Sequence, residues 1–460
     1  MHPRLADDLD ALPDLLEATR RHAAAFLDGL AEAPVVPDAV VPQAVPLSAE
    51  GVGLAAALRE FAGRWEPGLS ASAGPRYLGF VTGGVTPAAL AGDWLTATVD
   101  QNAMSSLDAT GQHLERETVG WLRELFGLSD RHGGALVSGA TLSNTVGLAI
   151  AREWLGERLG VSPAEAGVAA LGTVRVLSGS PHSSVAKGLS LLGLGRAALR
   201  TVATLPGREA VDPAALEAAL READGPCIVV ANAGTVNTVD FDDLRALAAL
   251  RDRYDFWLHT DAAFGAFAAL SADHAHLVDG LDLADSVCVD LHKWLNVPYD
   301  SAVQFTRRQD LQARVFQNAA AYLGPLGATP DLVHLTPENS RRLRALAAWF
   351  TLRAYGRDGH REIVERCVAC ARVLGSAVEK IEGLRLLAPV RLNVVCFTLA
   401  DGPTPERLAA LADELAAEAF LTPTVYAGQP ALRAAFSNWR TSEADTQRVA
   451  RALERAVRTR

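Results

Sequence analysis

Five apolar runs constrain this chain more than any other feature: residues 135–137, 173–177, 227–231, 256–258 and 286–289 each read as a buried strand, and helical patterns separate them. Strands that alternate with helices make a mostly parallel sheet, because a parallel neighbour is reached only through a crossover. In such sheets ligands sit just beyond the carboxyl ends of the strands. The residues at those ends are therefore the first candidates for chemistry.

The run 286–289 leads straight into Asp290, Leu291, His292, Lys293 and Trp294, placing an amine where a strand leaves the sheet. Taken alone, Lys293 reads as a solvated surface charge, as most lysines are. The strand that starts at Phe256, however, ends at Asp261, followed by the small Ala262 and Ala263. An acid and an amine on two strand ends can face each other across a ligand. After 135–137 come Ser138, Gly139, Ala140 and Thr141, then a helical pattern through Ile150, Trp154 and Leu159. Amides and a hydroxyl at a helix N-terminus make an anion site. The plainer role for Ser138 or Thr141 is to cap that helix. His182 lies just past 173–177, and Gly234 and Thr235 lie just past 227–231.

The 460 residues suffice for two globular parts and an arm. With 43 Lys and Arg against 54 Asp and Glu, the net charge of -11 has the wrong sign for a protein that tracks a nucleic-acid backbone. Met1, His2, Pro3 and Arg4 begin no apolar leader, and no uncharged apolar run of about 18 residues follows, so the sequence predicts a cytoplasmic protein with no membrane segment. Five cysteines, an odd number, suit buried thiols in a reducing compartment. Cys367 and Cys370 form a C-x-x-C, but within a helical pattern and without a second ligand pair, so no metal site is expected. Gly193, Gly195 and Ala198 mimic a dinucleotide fingerprint yet follow a helical pattern rather than the required strand.

Residues 1–70 alternate helical patches with the proline-bounded stretch 34–42 and read as an arm packing on a partner subunit. Residues 71–335 read as a large domain and 336–460 as a smaller α+β domain. The glycine-rich stretch 74–84 reads as a turn, and the aperiodic 318–330 as a mobile lid. Arg341, Arg342 and Arg344 read as a solvated or subunit-facing surface on a helix capped by residues 338–340.

One cofactor would use every candidate. A phosphorylated, planar, cationic aldehyde bonds to a lysine, pairs its ring nitrogen with an acid, stacks between a histidine and an alanine, and rests its phosphate on an amide turn. Pyridoxal 5'-phosphate is that molecule.

Lys293 in Asp290-Leu291-His292-Lys293-Trp294, Asp261 in His259-Thr260-Asp261-Ala262-Ala263, His182 in Pro181-His182-Ser183-Ser184, and Gly234-Thr235 before Phe241-Asp242-Asp243-Leu244 resemble the pyridoxal-dependent group II amino-acid decarboxylases. That family includes aromatic amino acid and glutamate decarboxylases, and the similarity runs from about Tyr77 to the C-terminus. The resemblance implies an α/β fold of the aspartate aminotransferase type, fold type I. Its parts would be a large domain with a mostly parallel seven-stranded sheet, a small C-terminal α+β domain and an N-terminal helical arm. It implies a homodimer that decarboxylates an L-amino acid. Position by position, it implies that Lys293 forms the internal aldimine, Asp261 holds the pyridinium proton, His182 stacks on one ring face and Ala263 covers the other. Gly139, Ala140, Thr141, Thr235 and His292 would surround the phosphate or ring edge. Tyr322 would protonate the carbanion after carbon dioxide leaves, and Arg433 would hold the substrate carboxylate. Aldehyde-forming oxidative decarboxylation, aldol cleavage, transamination and a non-catalytic cofactor-binding role stay open at this stage.

Two departures from the family pattern matter. Asp290 and Leu291 stand where Asn-Pro is common, which puts a second carboxylate near the expected phosphate. Phe80 stands where glutamate decarboxylases carry a glutamine for the substrate and, with Tyr77 and Trp94, favours an apolar or aromatic substrate.

Overall fold

The computed structural model describes residues 1–105, 110–223, 225–318, 327 and 329–458. Seven strands form the larger sheet: β1 (Gly133–Val137), β2 (Val176–Ser178), β3 (Leu199–Thr201), β4 (Cys227–Asn232), β5 (Phe256–Asp261), β6 (Ser286–Asp290) and β7 (Ala302–Thr306). Their order is β1-β7-β6-β5-β4-β2-β3. Every neighbouring pair is parallel except the two that β7 makes, with β1 and with β6. The mostly parallel sheet expected from the sequence is therefore present with one reversed strand. β4, β5, β6 and β7 are buried along their whole length, which is why they read as unbroken apolar runs rather than alternating ones.

Parallel register brings the strand ends together. Asn232 pairs with Asp261, and Asp261 with Cys288 two residues before Asp290. The helix Ala140–Leu159 packs against the sheet and against the helices Ser183–Leu191 and Gln309–Phe316. Helices on several sides leave its middle turns buried nearly all round. Trp257, Trp294, Phe267 and Phe305 are the large side chains at the centre of the core.

The smaller sheet is antiparallel and contains β8 (Leu384–Leu386), β9 (Val394–Leu399), β10 (Thr422–Tyr426) and β11 (Gln429–Ala435), ordered β10-β11-β9-β8. The long helix Ala345–Lys380 breaks at Gly356, whose φ of 59° and ψ of -171° lie outside the helical region. The loop 77–84 runs between the two sheets: Leu78 N–H donates to Phe420 and Ala435 N–H donates to Leu78.

At the N-terminus the helices Pro3–Asp10, Leu12–Gly29 and Leu54–Arg64 contain no buried residue. Leu5, Leu9, Leu16 and Phe61 are exposed, whereas Leu30 and Val35 pack into the body. Among the described residues no helix is long and apolar enough to cross a membrane.

The arginine surface expected at 341–344 is not what forms. The helix begins only at Ala345, and Arg341 turns inward, fully buried 3.0 Å from the equally buried Glu115. Glu115 also accepts the N–H of Leu136, so the ion pair braces β1. A charge at this depth requires such a partner. Arg344 reaches Asp300 and Glu338, and Arg342 alone stays half-exposed, beside Asp93.

Candidate active site

β6 ends at Asp290 and a single helical turn, Leu291–Trp294, begins at once, so Lys293 leaves the sheet edge-on. It enters a cavity of about 680 Å³ that is also lined by Gly139, Ala140, Thr141, His182, Thr235, Asp261, Ala263, His292, Phe80 and Arg433. These residues singled out in the sequence thus meet in one place, whereas Tyr77 and Trp94, grouped with Phe80 as substrate contacts, do not line this cavity. Tyr322 lies outside the described residues.

The turn that carries Lys293 is tied down from three sides. Trp294 is buried against Phe267, ring centroids 6.1 Å apart. Asn296, at φ 58°, donates from Nδ2 to the carbonyls of Gly83 at 2.6 Å and Ser437 at 2.7 Å. Gly83 must be glycine, because a β-carbon there would fall 1.7 Å from the Lys293 carbonyl oxygen.

Asp290 lines the cavity too. It is almost fully buried, with Oδ2 3.4 Å from Lys293 Nζ and Oδ1 3.2 Å from His292 Nε2. His292 Nδ1 accepts the N–H of Ser301, which leaves the ring proton on Nε2, while Asp290 Oδ1 is buried without a hydrogen-bond partner among the described residues. His292 also stands beside the anion turn, since a β-carbon on Gly139 would lie 3.4 Å from its Cε1. Tyr299 leans over the same imidazole at a centroid distance of 4.3 Å.

Asp261 Oδ2 accepts from Asn144 Nδ2 at 2.8 Å and Oδ1 accepts the N–H of Ala263 at 3.2 Å. Ala263, buried on the cavity wall, accepts the N–H of Asp290, which locks the two strand ends together. His182 caps the helix Ser183–Leu191 by accepting the N–H of Ser184 at Nδ1. One face of its ring is open to the cavity, yet the protein behind it excludes water and lowers its pKa, against the opposing pull of Asp261.

Neither Ser138 nor Thr141 caps the helix Ala140–Leu159: its N-cap is Gly139, in extended conformation, with no side-chain hydrogen bond. That leaves an uncapped helix N-terminus on the cavity wall, the arrangement that attracts phosphate. Thr235 is less free than the sequence suggested, because its hydroxyl donates to Glu209 at 2.6 Å while accepting the N–H of Asp240. Glu209 also takes the N–H and the hydroxyl of Thr238, fastening this loop to the wall.

The glycine-rich stretch 74–84 is more than a turn, for Phe80 and Val81 line the cavity. Phe80 adopts a left-handed φ of 57°, held by its N–H to Thr422 Oγ1 at 2.7 Å and by its carbonyl, which accepts from Arg433. Arg433 also donates to the carbonyl of Val236. Two of its donors are thereby engaged, and its buried Nε–H has no partner among the described residues.

Sequence reasoning passed over Asn144, Asn296 and Tyr299. Asn144 had a signal: it stands one turn after Ala140 on the same helix face, and asparagine inside a helix needs a tertiary reason.

An amine on a strand-end turn, a carboxylate fixed by two donors, a histidine and an alanine on the cavity wall and an uncapped helix N-terminus form a donor set that pyridoxal 5'-phosphate fits. The position of Asp290 gives a direct test. Replacing it by Asn removes a buried negative charge from beside His292 and the anion turn, so Asp290→Asn is expected to bind the cofactor about tenfold more tightly, roughly 1.4 kcal/mol. Titrating cofactor-free protein by fluorescence quenching checks this. Weaker binding would mean that the carboxylate is needed to hold Lys293 and His292.

Comparison with known proteins agrees with the geometry. The model of the pyridoxal-dependent decarboxylase conserved domain matches residues 43–400. An aromatic-L-amino-acid decarboxylase of Bacillus atrophaeus is 27% identical over 332 residues, 70% of this chain and 67% of that protein. A cysteine sulfinic acid decarboxylase of Mus musculus is 30% identical over 333 residues, 70% of this chain and 66% of that protein. The matches span about two thirds of the length of these relatives. In structure, the Oryza sativa TDC crystallised with PLP and tryptamine superposes with a TM-score of 0.89 at 23% identity, covering 98% of each chain. The chain belongs to the pyridoxal-dependent decarboxylase family, and pyridoxal phosphate is the cofactor for which its cavity is built.

Proposed function

We propose that the protein decarboxylates an L-amino acid with an aromatic or apolar side chain. The observation that carries the substrate class is the cavity wall. Phe80, Val81, Phe264 and Tyr299 supply apolar surface, while most of the charged groups there are engaged within the protein. Arg433 donates to two backbone carbonyls, Asp300 pairs with Arg344 at 3.0 Å, and Asp290 faces His292 and Lys293. A second reading has one observation in its favour: Lys187 lines the same cavity, and a cation there suits an acidic side chain.

When bound, the cofactor supplies an electron sink for the α-carbon as carbon dioxide departs. The side chains do the rest in this proposal. Lys293 would hold the cofactor covalently, and Asp261 would keep a proton at its ring nitrogen. His182 and Ala263 would hold the ring between them. The N-terminus at Gly139, Ala140 and Thr141, with Thr235 and His292, would take the phosphate end. Arg433 turns the substrate carboxylate, whose orientation decides which bond is labile, and Tyr322 returns a proton to the α-carbon.

The exposed apolar residues of the N-terminal helices support a homodimer in which 1–70 covers a partner subunit, with 71–335 as the cofactor domain and 336–460 as the small domain. The cytoplasm is the proposed location. The test compares L-tryptophan and L-tyrosine with L-glutamate and L-cysteine sulfinate on the cofactor-loaded enzyme. An aromatic substrate is expected to lead in kcat/KM by about tenfold or more. The opposite order would reject the aromatic assignment in favour of the Lys187 reading.

A further inference from the structure

Asp261 and His182 are joined by a train of buried hydrogen bonds whose direction can be worked out donor by donor. The indole N–H of Trp257 donates to Ser286 Oγ at 2.9 Å, and Ser286 Oγ lies 2.7 Å from His259 Nδ1. An indole nitrogen only donates, so Ser286 Oγ accepts there and its own proton is free for His259 Nδ1. His259 Nε2 is 2.9 Å from Asn144 Oδ1, and an amide oxygen only accepts, so His259 donates there. Burial pushes the His259 pKa down to about 4, which keeps the ring neutral and able to fill both roles. Gly147 makes room for it, since a β-carbon there would stand 2.6 Å from His259 Cε1.

With its oxygen fixed, Asn144 cannot flip, and its NH₂ group divides. One contact goes to Asp261 Oδ2 at 2.8 Å and the other to Ser184 Oγ at 3.0 Å. Having accepted from Asn144, Ser184 Oγ faces His182 Nδ1 at 2.8 Å, and the Ser184 backbone N–H donates to the same nitrogen. Nδ1 is therefore the acceptor, and neutral His182 carries its proton on Nε2. Asn144, Trp257, Ser286 and His259 are essentially inaccessible, so water does not substitute for a missing link.

We propose that Asn144 is a positioning residue that couples the two: a single oriented amide sets the electrostatic surroundings of Asp261 and, through Ser184 Oγ, adds a second donor to the backbone N–H that makes His182 Nδ1 an acceptor. A merely space-filling asparagine would not need a partner on every polar atom, each with a fixed sense. The proposal rests on the roles given above to Asp261 and His182, and it makes the carboxylate and the stacked imidazole respond together.

The test uses enzyme loaded with pyridoxal phosphate. Its readouts are the pH midpoint of the visible absorption band without substrate, the separation of kcat from KM, and ¹⁵N shifts of labelled histidine. Asn144→Ala is expected to move the band midpoint by about one pH unit and to lower kcat roughly 10- to 100-fold, with KM within about threefold, as befits loss of a hydrogen bond to a charged group. Ser184→Ala, which touches only the His182 branch, is expected to lower kcat by about three- to tenfold and leave the midpoint within about 0.2 unit. A folded Asn144→Ala enzyme with an unmoved midpoint would overturn the coupling alone. A wild-type protein with no band after cofactor addition would overturn the roles on which it rests as well. If Asn144→Ala does not fold, the wild-type histidine spectrum decides, with His182 assigned by the signal lost in His182→Gln. A proton on Nε2 together with an Nδ1 shift that moves in Ser184→Ala supports the proposal, and a proton on Nδ1, or an Nδ1 shift unmoved in Ser184→Ala, sinks it.

Discussion

Lys293→Ala is expected to lose the visible absorption band of the bound cofactor and about a thousandfold or more in turnover, roughly 4 kcal/mol of transition-state stabilisation. The reason is geometric as well as chemical. The turn Leu291–Trp294 is fixed by Trp294, Asn296 and the close approach of Gly83, so the Lys293 amine is held at one point of the cavity, whereas Lys187 reaches the wall from a different helix. The fold should survive, because Lys293 is held by Asp290 at 3.4 Å and not by core packing. Pyridoxal phosphate added to the variant should bind reversibly, without the band, and be removed by gel filtration. Retention of the band would place the covalent link on another lysine.

Asp261→Asn should produce a different phenotype from the same cavity. The covalent link through Lys293 remains, so the band is expected to persist, while kcat falls by about 10²- to 10³-fold. Losing the charged half of a buried pair costs on the order of 3–5 kcal/mol. The carboxylate is nearly buried and takes donors on both oxygens, from Asn144 and from the Ala263 N–H. In the variant the new amide must either turn an N–H toward one of those donors or present one to the ring nitrogen, and both weaken the proton held there. Absorbance spectroscopy and steady-state kinetics on one preparation check both halves. A variant that keeps wild-type kcat would remove Asp261 from the reaction.

The parts of the site that were legible in the sequence share one property. Gly139, His182, Thr235, Asp261 and Lys293 all follow strands of one sheet, and parallel strands deliver their carboxyl ends to the same edge. Once the alternation of strand and helix is seen, their convergence follows from topology. Partners set by packing between distant segments were not legible. Asn144 lies in a helix, and nothing local shows that His259, Ser184 and Asp261 will surround it. Nothing local in residues 302–306 sets a strand direction, so the reversal of β7 was invisible. β3 has three residues, partly exposed, too few for a pattern. Arg341 was misjudged because helical periodicity was carried upstream of the true start at Ala345, and its partner Glu115 comes from a remote helix. Asp290 was recognised as anomalous, and the structure supplies its neighbours: it faces the Lys293 amine and the His292 imidazole of its own motif.

The central claim is that this cavity removes carbon dioxide from an amino acid and returns a proton to the α-carbon. The measurement that bears on it most directly supplies the cofactor-loaded enzyme with each of the twenty amino acids and hydroxylated aromatic ones. Carbon dioxide, amine, aldehyde and hydrogen peroxide are followed in the same vessel. Carbon dioxide and amine in equal amounts, with an aromatic or apolar substrate and no peroxide, are the expected result. Aldehyde and peroxide in place of amine, or no carbon dioxide from any of them, would contradict it.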